Sequence, residues 1–129
     1  MTTFTNISNN PILVSGTHLQ GFINNISYDE LAAALGEHNE GDAYKTDVEF
    51  DLQFDDGTVA TIYNYKDGPN YKGHGSLSHI KTWHVGGKSI DAVLKVADAL
   101  GLVPAGSANP EQQSFSFAGS LASTGSWSG

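Results

Sequence analysis

Residues 47–55 alternate between polar and apolar side chains, and this pattern constrains the fold more than any other feature of the chain. Val48, Phe50, Leu52 and Phe54 alternate with Asp47, Glu49, Asp51, Gln53 and Asp55. A period of two over nine residues predicts a β-strand with one buried face and one solvated, carboxylate-bearing face. Asp56-Gly57 predicts a two-residue turn into a second strand, in a register that places Phe50 opposite Tyr63.

Two helices are predicted by their end signals. Ser27 and Glu30 form a capping box, and Gly36 supplies a left-handed stop, so we expect a helix over residues 28–35. A second helix is expected over residues 89–100, ending at Gly101. Its predicted buried side chains are Ile90, Val93, Leu94, Ala97 and Leu100.

Short strands are predicted at residues 12–14, 17–24 and 79–85. The resulting fold class is α+β, a small antiparallel sheet in the chain order β-α-β-β-β-α packed against two helices. Residues 12–103 would form one domain, preceded by a loosely held arm (1–11). Residues 104–129 are rich in Ser, Gly and Ala and would form a tail that is either disordered or docks on a neighbour.

Charge and composition narrow the partners. The 129 residues include 14 acidic and six basic side chains, every basic one a lysine, for a formal net charge of −8. Direct nucleic-acid binding is disfavoured because such proteins rely on basic surfaces and arginine forks. The chain has no cysteine, no signal-like start and no long apolar run, so we expect a soluble cytoplasmic protein that avoids membranes. Homo-oligomerisation stays an open prediction.

Acidic and aromatic side chains are candidates for binding a protein partner. Asp47, Glu49 and Asp51 would lie in a row, too far apart for neighbours to share a proton, and would be either a solvated face or a decoy for a basic groove. Phe115, Phe117 and Trp127 are the aromatic candidates of the tail, through which it would dock.

The step Gly86-Gly87-Lys88-Ser89, from a strand into a helix, resembles the end of a phosphate-binding loop. A full nucleotide-binding loop would need glycine at Thr82. The alternatives are an anion-binding helix start and a plain turn that Ser89 caps.

Aromatic, amide and cationic side chains around residues 63–84 favour binding over catalysis. The candidates are Tyr63, Asn64, Tyr65, Lys66, Asn70, Tyr71, Lys72, Trp83 and His84. Such groups suit a planar, polar ligand of the nucleotide type. The alternative is that Tyr63 and Tyr65 belong to an apolar sheet face and Trp83 to the core.

Catalytic and metal-binding motifs are not recognisable in the sequence. His74, His79 and His84 lack metal-ligand spacing, and no nucleophile elbow is present. We therefore predict neither an enzyme nor a cofactor or metal site.

A resemblance to a viral protein family rests on a run of residues in the centre of the chain. The run comprises residues 56–68, Tyr71, Gly73, Ile80 and residues 83–87. It resembles small acidic accessory proteins of tailed bacteriophages, and the resemblance covers residues 16–100. It implies a viral origin, action in the host cytoplasm and a role against host defence.

Three functions follow as hypotheses. The chain would sequester an anionic nucleotide-type signal, block a host defence protein as an acidic decoy, or serve in the virion through its aromatic tail. For the first, the loop 67–78 and the turn 86–89 would form one recognition surface.

Overall fold

An eight-stranded mixed sheet organises the fold, which a computed structural model describes for residues 2–8, 11–40, 45–73 and 75–118. The strands are β1 (Phe4–Asn6), β2 (His18–Asn24), β3 (Asn39–Glu40), β4 (Val48–Phe54), β5 (Val59–Tyr63), β6 (Thr82–Gly87), β7 (Val103–Pro104) and β8 (Ser114–Phe117). Their spatial order is β1-β4-β5-β6-β2-β8-β7, with β3 also paired to β4. Only β7 and β8 run parallel among these pairs. The α+β class is confirmed, but the predicted sheet is too small.

Three α-helices lie among the described residues: α1 (Tyr28–Leu35), α2 (Pro69–Lys72) and α3 (Asp91–Leu100). Helix α1 has the predicted bounds, because the Ser27 hydroxyl accepts from the Glu30 amide while the Glu30 carboxylate accepts from the Ser27 amide. Helix α2 lies in a segment predicted to be a loop. The strand predicted over residues 12–14 is wrong, since Pro11–Val14 is a 3₁₀ helix. The strand predicted over 79–85 is β6, which begins three residues later because Leu77–His79 is a 3₁₀ helix.

The β4–β5 hairpin has a three-residue loop, so its predicted register is wrong by one residue. The Phe54 amide donates to the Thr58 carbonyl, and Gly57 takes the left-handed conformation (φ 92°) of a bulged turn. Phe50 therefore pairs with Ile62, and Glu49 pairs with Tyr63. The shift places aliphatic side chains of β5 beside those of β4.

Helix α3 packs closely on one sheet face at two glycines. A Cβ on Gly87 would overlap the Cβ of Ala92, and a Cβ on Gly21 would meet the Val93 side chain. Cross-strand pairing places Val85, Ile62 and Phe50 on this same helix face, and all three are buried. The predicted contact of Leu94 is wrong, because that side chain is 43% exposed.

The N-terminal segment is held by hydrogen bonds rather than loosely attached. β1 pairs with β4, and the Asn6 carboxamide donates to the carbonyls of Leu35 and Glu37 at 2.7 Å each. Ser8 bridges the sheet edge, accepting from the Asp51 amide and donating to the Glu37 carbonyl. These bonds join β1 to the end of α1.

β8 lies inside the sheet beside β2, with Gly21 opposite Phe117 and Asn24 opposite Ser114. The boundary expected after residue 103 therefore falls within β7, and residues 104–118 belong to the same sheet-based unit.

Candidate functional site

Aromatic side chains form a row on the far face of the sheet, the face opposite α3. Strand pairing places Phe22 opposite His84 and His84 opposite Tyr63. The His84 ring lies 5.0 Å from Phe22, edge to face, and 5.5 Å from Tyr63, stacked at 28°. Tyr65 lies 5.4 Å from the same imidazole. His84 is thus the centre of three aromatic contacts.

Lys66 extends this row toward α2. Its ammonium nitrogen lies 5.4 Å from the Tyr65 ring centre and 5.7 Å from the Tyr71 ring centre, within cation–π range. Tyr65 is 39% exposed and Tyr71 40% exposed, so solvent reaches both rings. We call Tyr63, Tyr65, Lys66, Tyr71 and His84 the aromatic patch.

The backbone of Lys66 is left-handed, with φ 61°. Lysine adopts this conformation rarely, at a cost of about 1 kcal/mol or more. The Lys66 amide donates to the Lys45 carbonyl at 2.6 Å, which fixes the bend. Asn25 (φ 63°) is also left-handed, but asparagine tolerates that region.

The Asn64 side chain holds the segments next to the patch together by hydrogen bonds. It is fully buried, and its carboxamide oxygen accepts from the amides of Asp47 and Val48 at 2.8 and 3.2 Å. Its nitrogen donates to the carboxylates of Asp47 and Asp67. The sequence predicts ligand binding by Asn64 and partner binding by Asp47. Their side chains instead bond to each other inside the fold.

His84 is half-buried, and its Nδ1 is enclosed without a hydrogen-bond partner among the described residues. Burial lowers the pKa of His84 by disfavouring the charged imidazolium, and the Asp67 carboxylate opposes this effect. The imidazole is therefore a neutral ring for stacking and hydrogen bonding rather than a cation.

Trp83 does not belong to the patch. It is fully buried, and its indole N–H donates to the Ile26 carbonyl at 2.9 Å. Its predicted ligand-binding role is wrong because a core side chain cannot stack on a ligand, so the core alternative holds.

The glycine step lies apart from the patch. Gly86 and Gly87 are buried residues of β6, and Ser89 accepts from the Asp91 amide. Lys88 follows β6 four residues beyond His84, about 13 Å along an extended chain. Because β5 runs antiparallel to β6, Lys66 lies beyond the opposite end of the strand pair. The loop 67–78 and the turn 86–89 therefore do not form one surface. Lys72 is the last residue of α2 and directly follows Tyr71 of the patch.

The predicted solvated acidic row is wrong at Asp51, which is fully buried. One carboxyl oxygen accepts from the Asn39 carboxamide at 2.8 Å, and the other has no partner among the described residues. Burial raises the pKa of Asp51 to about 8, helped by a side-chain hydrogen bond and charge repulsion from Glu49.

Two of the three aromatic candidates of the tail lie within the sheet. Phe115 is buried, and Phe117 is half-buried 5.8 Å from it, both within β8. Their predicted docking on a neighbour is replaced by packing in their own sheet. Trp127 lies outside the described residues.

Two neighbours of the patch are missing from the sequence-based candidates. Phe22 could have been found from its alternate position in the strand 17–24, whereas Lys45 carries no sequence signal because only the fold brings it to Lys66. Within the described ranges, no group of three or more His, Cys, Asp or Glu could hold a metal ion.

Comparison with known proteins gives no family assignment. None of the described helices is long and apolar enough to cross a membrane. The chain matches no protein-family model, no curated protein and no solved structure.

Proposed function

We propose that the protein is a non-enzymatic binding protein whose aromatic patch takes a planar, anionic ligand of the nucleotide type. The observation that carries this proposal is the Lys66 ammonium over two exposed tyrosine rings, on a backbone held left-handed. A strained, non-glycine residue at a solvent-exposed corner is a marker of function when the surrounding bonds maintain it.

The chemistry of the patch fits a base and a phosphate together. Tyrosine faces stack on planar rings, at about 1–3 kcal/mol per stacked base. Lys66 supplies the charge for an anionic group, and its amide donates to the Lys45 carbonyl at the same corner. Two of the six lysines, Lys45 and Lys66, thus meet at one corner of a chain with net charge −8. A small anion would be attracted to this corner. A long nucleic acid would also meet the acidic remainder of the surface, which would repel it.

The acidic-decoy function has less support from the geometry. The Asp51 carboxyl is buried and accepts from Asn39, and the half-buried Asp47 carboxylate accepts from Asn64. Asp47 and Glu49 are each partly exposed, and the Asp47 carboxylate also accepts from the Asn70 amide. In the bacteriophage setting implied by the resemblance, sequestering a defence signal in the host cytoplasm is therefore the role we propose.

The test substitutes Lys66→Asn and measures nucleotide binding by calorimetry against a panel of mono-, di- and cyclic nucleotides. Asparagine accepts the left-handed backbone, so the fold should persist while the cation is lost. We expect at least a tenfold loss of affinity. Lys88→Asn is the matched control because it removes an equal charge from the far end of β6. Equal affinities of the two variants, or no binding by the intact chain, would overturn the proposal.

A further inference from the structure

A groove of about 540 Å³ lies at the C-terminal end of α1, lined by Tyr28, Ala32, Gly36, Glu37 and His38. Its size falls within the range of small-molecule sites. The His38 ring lies 5.3 Å from the Phe50 ring. Because Phe50 is on the sheet face that packs against α3, the groove lies on that side of the sheet. It is therefore separate from the aromatic patch, and none of its described lining residues is among the predicted site residues.

Hydrogen bonding fixes the chemistry of the groove wall. His38 Nδ1 lies 2.9 Å from the Asn39 carbonyl, which can only accept, so Nδ1 carries the proton. With the proton on Nδ1, Nε2 is the accepting nitrogen, and the Tyr28 hydroxyl donates to it at 2.9 Å. Tyr28 has no further proton to donate, so toward the groove its oxygen is an acceptor.

The charges around the groove are negative. Glu37 contributes an exposed carboxylate, and α1 ends here with the negative end of its dipole. The last turn of α1, all of whose residues the structure describes, has no basic side chain, whereas Asp29 and Glu30 occupy its first turn. The groove thus offers carboxylate and hydroxyl acceptors without a neutralising cation on its helix.

We infer that this groove binds an ammonium or guanidinium group carried on a short apolar stem. Glu37 pairs with the cation, and the Tyr28 oxygen accepts one of its N–H groups. The Tyr28 ring and the Ala32 methyl group contact the stem. This site is independent of the aromatic patch, which takes the opposite charge.

The experiment titrates the full chain with n-butylammonium and n-butylguanidinium while recording amide ¹H–¹⁵N spectra. We expect saturable shifts at Gly36, Glu37 and His38, and no such shifts with butyrate, which has the same stem and opposite charge. Glu37→Gln should weaken binding at least fivefold, whereas Glu111→Gln, an exposed charge elsewhere, should not. Unsaturable shifts, equal shifts with butyrate, or equal behaviour of both variants would overturn the inference.

Two further titrations identify the source of the cation. Spermidine represents a free polyamine, and the peptide Gly-Arg-Gly represents a side chain of a protein partner. The ligand that binds more tightly, measured from the shifts of Gly36–His38, identifies the source of the cation. If neither ligand binds saturably, the groove is not a site for biological cations. Neither result depends on nucleotide binding, so this inference and the proposed function can fail separately.

Discussion

Asp51 is the described residue whose ionisation we expect to affect stability most. Its carboxyl is fully buried beside Glu49, and its own backbone bonds to Ile7 and Ser8 of the N-terminal segment. In the unfolded chain it ionises with the ordinary aspartate pKa of 3.8, whereas in the folded protein burial raises its pKa to about 8. The stabilisation is complete below pH 4 and is lost as pH rises through about 8.

Substituting Asp51→Asn should remove this pH dependence, because a carboxamide keeps the shape and does not ionise. Relative to the variant, the wild-type free energy of unfolding should fall by up to about 1.4 kcal/mol per pH unit between pH 4 and 8. Urea unfolding at several pH values measures this difference, and Asp91→Asn, at an exposed aspartate, should keep the wild-type slope. Parallel pH profiles of wild type and Asp51→Asn would contradict the assignment.

At the scale of single elements, local signals predict structure well and long-range contacts escape prediction. The bounds of α1 follow from Ser27, Glu30 and Gly36, all within one short segment. The predicted hairpin register is wrong because Asp56-Gly57 is compatible with both two- and three-residue loops, and one residue shifts the whole register. Asp51 occupies a position that the alternating pattern assigns to the exposed face. It is buried because Ser8 and Asn39, which lie far from it in the sequence, contact it in the fold.

The contact between β6 and α3 gives the prediction that belongs to this scale. Gly87→Ala places a methyl group against Ala92 and should destabilise the fold by about 1–3 kcal/mol. Ala92→Gly alone should cost about 1 kcal/mol as a glycine within a helix. The double variant should be more stable than the sum of both losses predicts, because the second change removes the overlapping methyl group.

Urea denaturation of the four proteins gives the coupling energy. Gly21→Ala serves as the comparison, since its Cβ would meet the Ser116 backbone oxygen as well as Val93, and no side-chain substitution removes a backbone atom. Strict additivity of Gly87→Ala and Ala92→Gly would show that the close approach of helix and strand does not set the cost.

For the whole molecule, the candidate site is assembled from segments that the sequence keeps far apart. Phe22 comes from β2, Tyr63 from β5 and His84 from β6. Lys45 reaches the site through one backbone bond, in which its carbonyl accepts from the Lys66 amide. The sequence indicates the residue types around 63–84, yet it cannot separate Trp83 and Asn64 from the exposed members. The burial of a side chain depends on the complete sheet, and neighbouring residues of a strand point to opposite faces of it.

The position of β8 leads to a prediction about truncation of the chain. Ending the chain at Pro104 removes the four residues of β8 that pair with β2, and with them the buried ring of Phe115. Burial of such a ring contributes about 1.5–3 kcal/mol, a large share of the roughly 5–15 kcal/mol typical of a domain. We therefore expect this shortened chain to lose its cooperative thermal transition, whereas a chain ending at Ala118 should melt with the full-length protein. Circular dichroism melting curves compare the three. If the chain ending at Pro104 melted like the others, β8 would be dispensable and residues 104–129 would be a separate tail after all.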